Sequence, residues 1–213
     1  MKSPLLAASL LSALALTSCA RSGEIDATGG ITAVRSSCPT VAVTAGTGDV
    51  TLFDPPASRD QAAIDVNAVM TNVRSTCADA GDQIATTITF DVLARRARTD
   101  GARDVTLPFY IAIVRGGSAV TAKRIAQVAV RFEAGQARAT GRGQAVSYVS
   151  RAAATLPEDI RKQLTRKRKA GDEDAAVDPL TQPEVRQAVL AASFEALVGF
   201  QLTDAQLRYN ATR

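Results

Sequence analysis

The chemically reactive side chains of this 213-residue sequence are its three cysteines and its carboxylates, because histidine is absent. Without histidine, neither a Ser-His-Asp nor a Cys-His catalytic arrangement can form, and the commonest metal ligand is missing. No Gly-rich phosphate loop and no metal-spaced cluster of ligands is present either. The sequence therefore predicts no metal and no cofactor, and it leaves carboxylate chemistry as the remaining route to catalysis.

Cys19 follows an apolar segment that has the parts of a secretory signal. Lys2 supplies the positive end, residues 5–16 are apolar, and two small residues precede the cysteine. The apolar segment is shorter than the roughly 20 residues that cross a bilayer. The sequence "LTSC" at 16–19 resembles a bacterial lipobox, which implies cleavage before Cys19 and lipidation of its sulfur. The alternative is an ordinary secretory signal with a chance cysteine.

The residue after Cys19 is Ala20 and not aspartate, which favours the outer membrane as the destination. We expect a signal peptide at 1–18, the lipidated cysteine and a flexible tether at 19–36, and one domain at 37–213. In an oxidising periplasm, we expect Cys38 and Cys77 to form a structural disulfide. A redox or metal role for the two thiols is the alternative, and the absence of C-x-x-C spacing argues against it.

Three carboxylates on predicted strands are the candidates for acid–base chemistry. Asp65, Asp91 and Glu195 could face one another across a sheet, as the paired carboxylates of glycosidases do. The alternation of the strands places them on outward faces, which favours a solvated surface. The sequence therefore assigns no catalytic residue.

A basic run, "RKQLTRKRK" at 161–169, could contact anionic head groups if it is helical. The alternative is a solvated face that the acidic residues at 172–174 partly neutralise. The six cations are Arg161, Lys162, Arg166, Lys167, Arg168 and Lys169. We expect residues 156–175 to form a basic helix outside the main core, because so many cations cannot be buried without partners.

Most of the chain shows the two-residue period of half-buried strands. The period is clearest at 84–92, 105–113 and 194–202, and Gly-, Asp- and Pro-containing turns separate the strands. This arrangement predicts a mainly β, antiparallel, Ig-like sandwich. A helical pattern at about 156–192 predicts an insertion before the last strand, and the Thr203–Gln206 spacing predicts a capped C-terminal helix.

Several segments together resemble a family of alphaproteobacterial envelope lipoproteins that has no assigned activity. They are the lipobox, "SSCP" at 36–39, "MTNVRSTC" at 70–77, "RFEAGQ" at 131–136 and "LVGFQLTDAQLRYN" at 197–210. The resemblance implies an envelope location and a β-sandwich, and it carries over no active-site residue.

Two classes of function follow from the sequence. The first is a non-enzymatic envelope component, anchored to the outer membrane, that binds another envelope protein or an anionic envelope surface through strand edges or loops. The second is an enzyme that acts on cell-wall glycan through carboxylates alone. The net charge of the precursor is only +4, and this with the export signal argues against a nucleic-acid partner.

Overall fold

The computed structural model describes residues 36–166, 171–173 and 177–212. The expected signal peptide, Cys19 and nearly all of the tether lie outside the described residues. Within the described ranges, no helix is both long and apolar enough to cross a membrane.

Eight strands form two four-stranded sheets that pack face to face, which confirms the mainly β sandwich. Sheet A has the order β1-β8-β5-β6 and sheet B the order β2-β3-β4-β7. Neighbouring strands are antiparallel except that β1 and β8 are parallel. The strands are β1 (Thr40–Val43), β2 (Asp49–Phe53), β3 (Ile64–Ala80), β4 (Gln83–Arg96), β5 (Arg103–Arg115), β6 (Ala119–Phe132), β7 (Arg138–Ser150) and β8 (Phe194–Phe200).

The core lies between the sheets, and strand alternation determines which side chains enter it. The alternating residues predicted for β4, β5 and β8 are buried, as expected from the two-residue period, except that Phe194 at the start of β8 is only partly buried. Phe90 and Phe109 meet edge to face across the two sheets, with ring centroids 4.9 Å apart. Gly143 on β7 leaves room for the Phe90 ring, because a Cβ there would lie 2.1 Å from its Cζ atom. A strand residue without a side chain is therefore needed beside this aromatic pair.

The predicted disulfide between Cys38 and Cys77 is confirmed, with the two Cα atoms 6.1 Å apart. Cys38 precedes β1 of sheet A, and Cys77 lies near the end of β3 in sheet B. The bridge therefore joins the two sheets at the end where the chain enters the domain. We call this the disulfide end.

Helices connect β7 to β8 at the same end, where the sequence predicted an insertion. They are α1 (Arg151–Ala154), α2 (Glu158–Thr165) and α3 (Pro183–Ala191), and a further helix, α4 (Asp204–Thr212), follows β8. Ile160 and Leu164 of α2 pack on Val185 and Val189 of α3, in a cluster separate from the sandwich core. The insertion thus begins at residue 151, five residues earlier than predicted.

The prediction of one basic helix over 156–175 is wrong in its extent. Helix α2 ends at Thr165, and Arg166 has an extended backbone. Arg161 and Lys162 are therefore the two basic residues of the run that lie on α2. Lys167, Arg168 and Lys169 lie outside the described residues.

The expected capping box at the start of α4 is confirmed. The Thr203 backbone N–H donates to Gln206 Oε1 over 2.9 Å, and the Gln206 N–H donates to Thr203 Oγ1 over 3.3 Å. The Asn210 side-chain amide donates to the carbonyl oxygens of Gly46 and Asp49, both over 2.9 Å. Helix α4 is thereby fastened beside β2, at one edge of sheet B.

Two arginines fasten the opposite end of the sandwich, which we call the arginine end. Arg96 continues the inward alternation of β4 and is only 3% exposed. Its guanidinium donates to four backbone carbonyls in the 99–101 and 133–136 turns, and it lies over the Phe132 ring. Arg103 at the start of β5 makes a bidentate ion pair with Asp65, over 2.8 and 2.7 Å. These contacts join the loops and both sheets at that end.

The expectation that Asp65 lies on a solvated face is wrong. Its side chain is only 6% exposed, because Arg103 covers it and Arg98 approaches to 3.7 Å. The hydrogen bonds from Arg103 lower the pKa of Asp65, and this effect outweighs the desolvation that would raise it. Both oxygens of the carboxylate are bound by one guanidinium, so Asp65 is a structural anion.

We expect Arg103→Met to lower the free energy of unfolding by about 2 kcal/mol at neutral pH, because Asp65 then stays buried without its main partner. This expected loss of stability is smaller than for a fully buried ion pair, because Arg103 is itself 42% exposed. Because the pKa of Asp65 is lower in the folded than in the unfolded protein, its ionised form stabilises the fold at pH values above the unfolded pKa of about 3.9. This stabilisation is lost as the pH falls below that value. The wild-type advantage should therefore be constant between about pH 6 and 8 and shrink below about pH 4. Urea unfolding across this range measures it, and a difference independent of pH down to full protonation would contradict it.

Candidate binding site at the open edge of sheet A

Strand β6 is the outer strand of sheet A, and its first nine residues are exposed. Every residue from 119 to 127 is exposed, including Val120 at 63% and Ile125 at 61%. From Val128 onward, alternate residues are buried in the core. We call residues 119–127 the β6 edge segment. It offers a row of backbone donors and acceptors on the side away from β5.

The register explains why both faces of this segment are exposed. Ala122, Arg124 and Ala126 lie opposite Ile113, Ile111 and Phe109 of β5. Residues directly opposite each other share a face, so these three side chains point to the core side of sheet A. Two are small and one is charged, and none adds to the apolar packing between the sheets. The β5 residues they face are nonetheless buried.

The β6 edge segment is cationic on both faces. Lys123 lies over the Tyr110 ring, with its Nζ atom 4.7 Å from the ring centroid, on the outer face of sheet A. Arg124 is the next residue, so its side chain points to the opposite face. No aspartate or glutamate occurs anywhere in β6. A neighbouring strand would therefore meet a positive charge on each face.

The remaining strand edges of the described residues are shorter or closer to other elements. Strand β1 has four residues, and α4 lies beside β2. Strand β3 extends beyond its pairing with β2, and its exposed run at 74–80 has seven residues and contains the disulfide-bonded Cys77. Near the arginine end, β7 approaches β6 so closely that a Cβ on Gly141 would lie 2.6 Å from the Ala129 carbonyl oxygen. The β6 edge segment is thus the longest run of consecutive exposed residues on an outer strand.

An apolar groove of about 300 Å³ adjoins the segment on the outer face of sheet A. Val120 and Lys123 form its β6 side, and Leu207 of α4 lies among its lining residues. Ala112 and Val114 of β5 and Leu197 of β8 also line it. The side-chain oxygens of Thr44 and Gln201, which line the groove too, are buried without a hydrogen-bond partner. The groove can take an apolar side chain.

A second cavity, of about 440 Å³, lies at the disulfide end between the insertion and the start of β8. Two residues singled out in the sequence, Arg161 and Glu195, line it together with the apolar side chains of Leu156 and Phe194. Arg161 already makes hydrogen bonds with Glu158 on its own helix, and Lys162 lies 3.7 Å from the same carboxylate. The positive charge of α2 is thus partly neutralised within the helix.

The three candidate carboxylates do not converge. Asp91 lies opposite Thr71, six residues along β3 from Asp65, which is about 20 Å at the rise of a strand. Glu195 lies opposite Val114 on the outer face of sheet A, and Asp91 lies on the outer face of sheet B, so the core separates these two. A glycosidase pair is separated by no more than about 10 Å, so these residues do not form one.

Asp91 has a structural environment of its own. Asn72, at a bulge in β3 with φ of 50°, donates to Asp91 Oδ2 over 2.8 Å, and Arg142 donates to Oδ1 over 3.2 Å. These hydrogen bonds, the one from Asn72 foremost, lower the pKa of Asp91.

In the parts of the chain that the structure covers, no group of three metal-ligating side chains is close enough to hold an ion.

Comparison with protein-family models, with curated proteins and with solved structures gives no match for this chain. The resemblance to an envelope lipoprotein family therefore stays a prediction from the sequence.

The β6 edge segment was not predicted from the sequence, although the sequence carries a signal for it. The alternation of β6 continues from 128 back to 122, but the inward positions then hold alanine and arginine instead of large apolar residues. Small or charged residues at inward positions indicate that the strand extends beyond the core of the sandwich. An inward-pointing charge is also typical of protected sheet edges. The signal is readable once the phase of the strand is known.

Proposed function

We propose that this protein is a periplasmic lipoprotein, anchored to the outer membrane through Cys19, that binds another envelope protein by strand addition at the β6 edge segment. The single observation that carries the binding role is the run of nine exposed residues on an outer strand beside an apolar groove. Strand addition uses backbone hydrogen bonds for affinity and side-chain pockets for specificity. The role is non-enzymatic, and it needs neither a metal nor a cofactor.

The anchor rests on the lipobox-like sequence at 16–19, and it can be tested separately from binding. We expect Cys19→Ser to release the protein from membranes or to leave its signal uncleaved, because the thioether can no longer form. Membrane fractionation and intact-mass measurement report both outcomes. A variant that fractionates and migrates like the wild type would contradict the anchor and leave the binding role unaffected.

The binding role is tested by placing charges on the exposed apolar residues of the segment. We expect Val120→Asp combined with Ile125→Asp to abolish co-purification of a partner from solubilised membranes, because two desolvated carboxylates oppose strand addition. The matched control is Val69→Asp with Leu93→Asp. These two residues are 49% and 52% exposed and lie opposite each other on sheet B. Equal recovery of the same partner by both double variants would contradict a role for β6.

A further inference from the structure

We infer that the occupant of the β6 edge segment is an extended acidic segment of another protein, with two adjacent carboxylates flanked by apolar residues. This inference rests on the proposed function, since it names the chemistry of the partner at the same site. The observation behind it is that Lys123 and Arg124 are adjacent in β6 and so present one positive charge on each face. A strand paired beside them places one side chain opposite each cation.

The charges of the segment are available to a partner. Lys123 contacts the neutral Tyr110 ring, and no carboxylate of the described ranges forms an ion pair with it. Arg124 makes no ion pair within the described residues, and it lies opposite the apolar Ile111. Cross-strand pairs of opposite charge stabilise a sheet, and like charges directly opposite destabilise it. Glutamates opposite Lys123 and Arg124 therefore complete two cross-strand pairs, one on each face.

The apolar residues fix the rest of the pattern. Ile125 adjoins Arg124, and Val120 lies three residues before Lys123 beside the groove. Strand β6 has a register shift between Val120 and Ala122, so the regular pattern covers residues 122–125. In an antiparallel partner, the order opposite residues 125 to 122 is then apolar, acidic, acidic and small. The segment Val-Glu-Glu-Ala has this order.

The same charges disfavour a second copy of this chain as the occupant. Two β6 edge segments paired antiparallel about their centre would place Lys123 of one copy opposite Lys123 of the other. This pair opposes like charges, which is a known protection of sheet edges against self-association. The surface therefore disfavours self-pairing and favours an acidic strand.

The test measures binding of two labelled peptides to the full-length protein in non-ionic detergent. One peptide is Thr-Val-Glu-Glu-Ala-Thr-Val-Thr, and the other carries two lysines in place of the glutamates. We expect the acidic peptide to bind about tenfold more tightly at low salt, because two cross-strand charge pairs change sign between the peptides. High salt should reduce this preference, since both cations are exposed.

The charge reversal supplies the decisive comparison. Lys123→Glu with Arg124→Glu should invert the preference, so that the lysine peptide binds more tightly. The control is Arg138→Glu with Arg142→Glu on β7, the outer strand of sheet B, which should keep the wild-type preference. Equal affinities for the two peptides, no binding of either peptide, or a preference that survives the β6 reversal would overturn the inference. A β6-mediated dimer in sedimentation would overturn it too. If peptide recognition fails while the aspartate variants still lose their co-purified partner, then the partner chemistry is wrong and the proposed function stands.

Discussion

Replacing Arg96 with methionine is expected to lower the free energy of unfolding by about 3–5 kcal/mol. The guanidinium is almost completely buried, and it donates to the carbonyl oxygens of Gly101, Glu133 and Gln136 over 2.6, 2.8 and 2.9 Å. Methionine keeps much of the stem volume and removes every donor, so the carbonyls of Gly101 and Gln136 lose the guanidinium. The Glu133 carbonyl keeps only its bond from the Gln136 N–H. Because the effect comes from desolvated acceptors, it should appear in urea unfolding as a lower midpoint with an unchanged slope.

Two further variants isolate the cause. Arg95→Met removes an exposed arginine from the neighbouring position of β4, and it should change stability by no more than about 0.5 kcal/mol. Arg96→Lys keeps the charge but loses the planar fork of donors, so its stability should lie between those of the wild type and Arg96→Met. Equal stability of Arg95→Met and Arg96→Met would show that the hydrogen bonds of Arg96 do not stabilise the fold.

Loss of the Cys38–Cys77 disulfide is expected to destabilise the domain by about 4 kcal/mol, through the added conformational freedom of the unfolded chain. The two cysteines are 39 residues apart, and this loop length enters the entropy estimate. For a domain of this size, the loss corresponds to a melting temperature about 8–16 °C lower. Calorimetry of Cys38→Ser with Cys77→Ser, beside the wild type, measures the change.

Reductant provides the control for the disulfide. Reduced wild type should melt close to the double variant, and the double variant should not respond to reductant. The test is the melting temperature of wild-type protein whose complete reduction has been verified by mass spectrometry. If it equals that of the oxidised protein, the disulfide does not constrain the unfolded chain.

The strands that sequence analysis located best are those with strict alternation. In β4, and in β5 from Val105 to Ile111, a single period of two runs through the strand, so the pattern alone distinguishes the core face. The same period, carried one step beyond Ala94, places Arg96 on the core face, and the sequence contains that information. Its carbonyl partners come from turns up to 40 residues away, which a local pattern does not specify.

The predictions for Asp65 and for the basic run failed because local sequence patterns do not show contacts with distant residues. Alternation assigned Asp65 to an outward face, but Arg103, 38 residues later, covers it, and only the packing of β3 against β5 brings the two together. The end of α2 at Thr165 was not predicted, because lysine and arginine are good helix formers and give no stop signal before Gly171. The two buried residues of α2, Ile160 and Leu164, pack with Val185 and Val189 of α3, and such contacts are not visible in the local sequence.

The most direct test of the central claim is site-specific photo-crosslinking in cells that naturally make the protein. A photoreactive residue at Ile125 reports on the β6 edge segment, and one at Leu93 reports on an equally exposed part of sheet B. We predict that Ile125 yields a discrete crosslinked band containing a second envelope protein, that Leu93 does not, and that Lys123→Glu with Arg124→Glu removes the band. Identical crosslinking patterns at the two positions, or a band at Ile125 that contains only two copies of this chain, would contradict strand addition at β6.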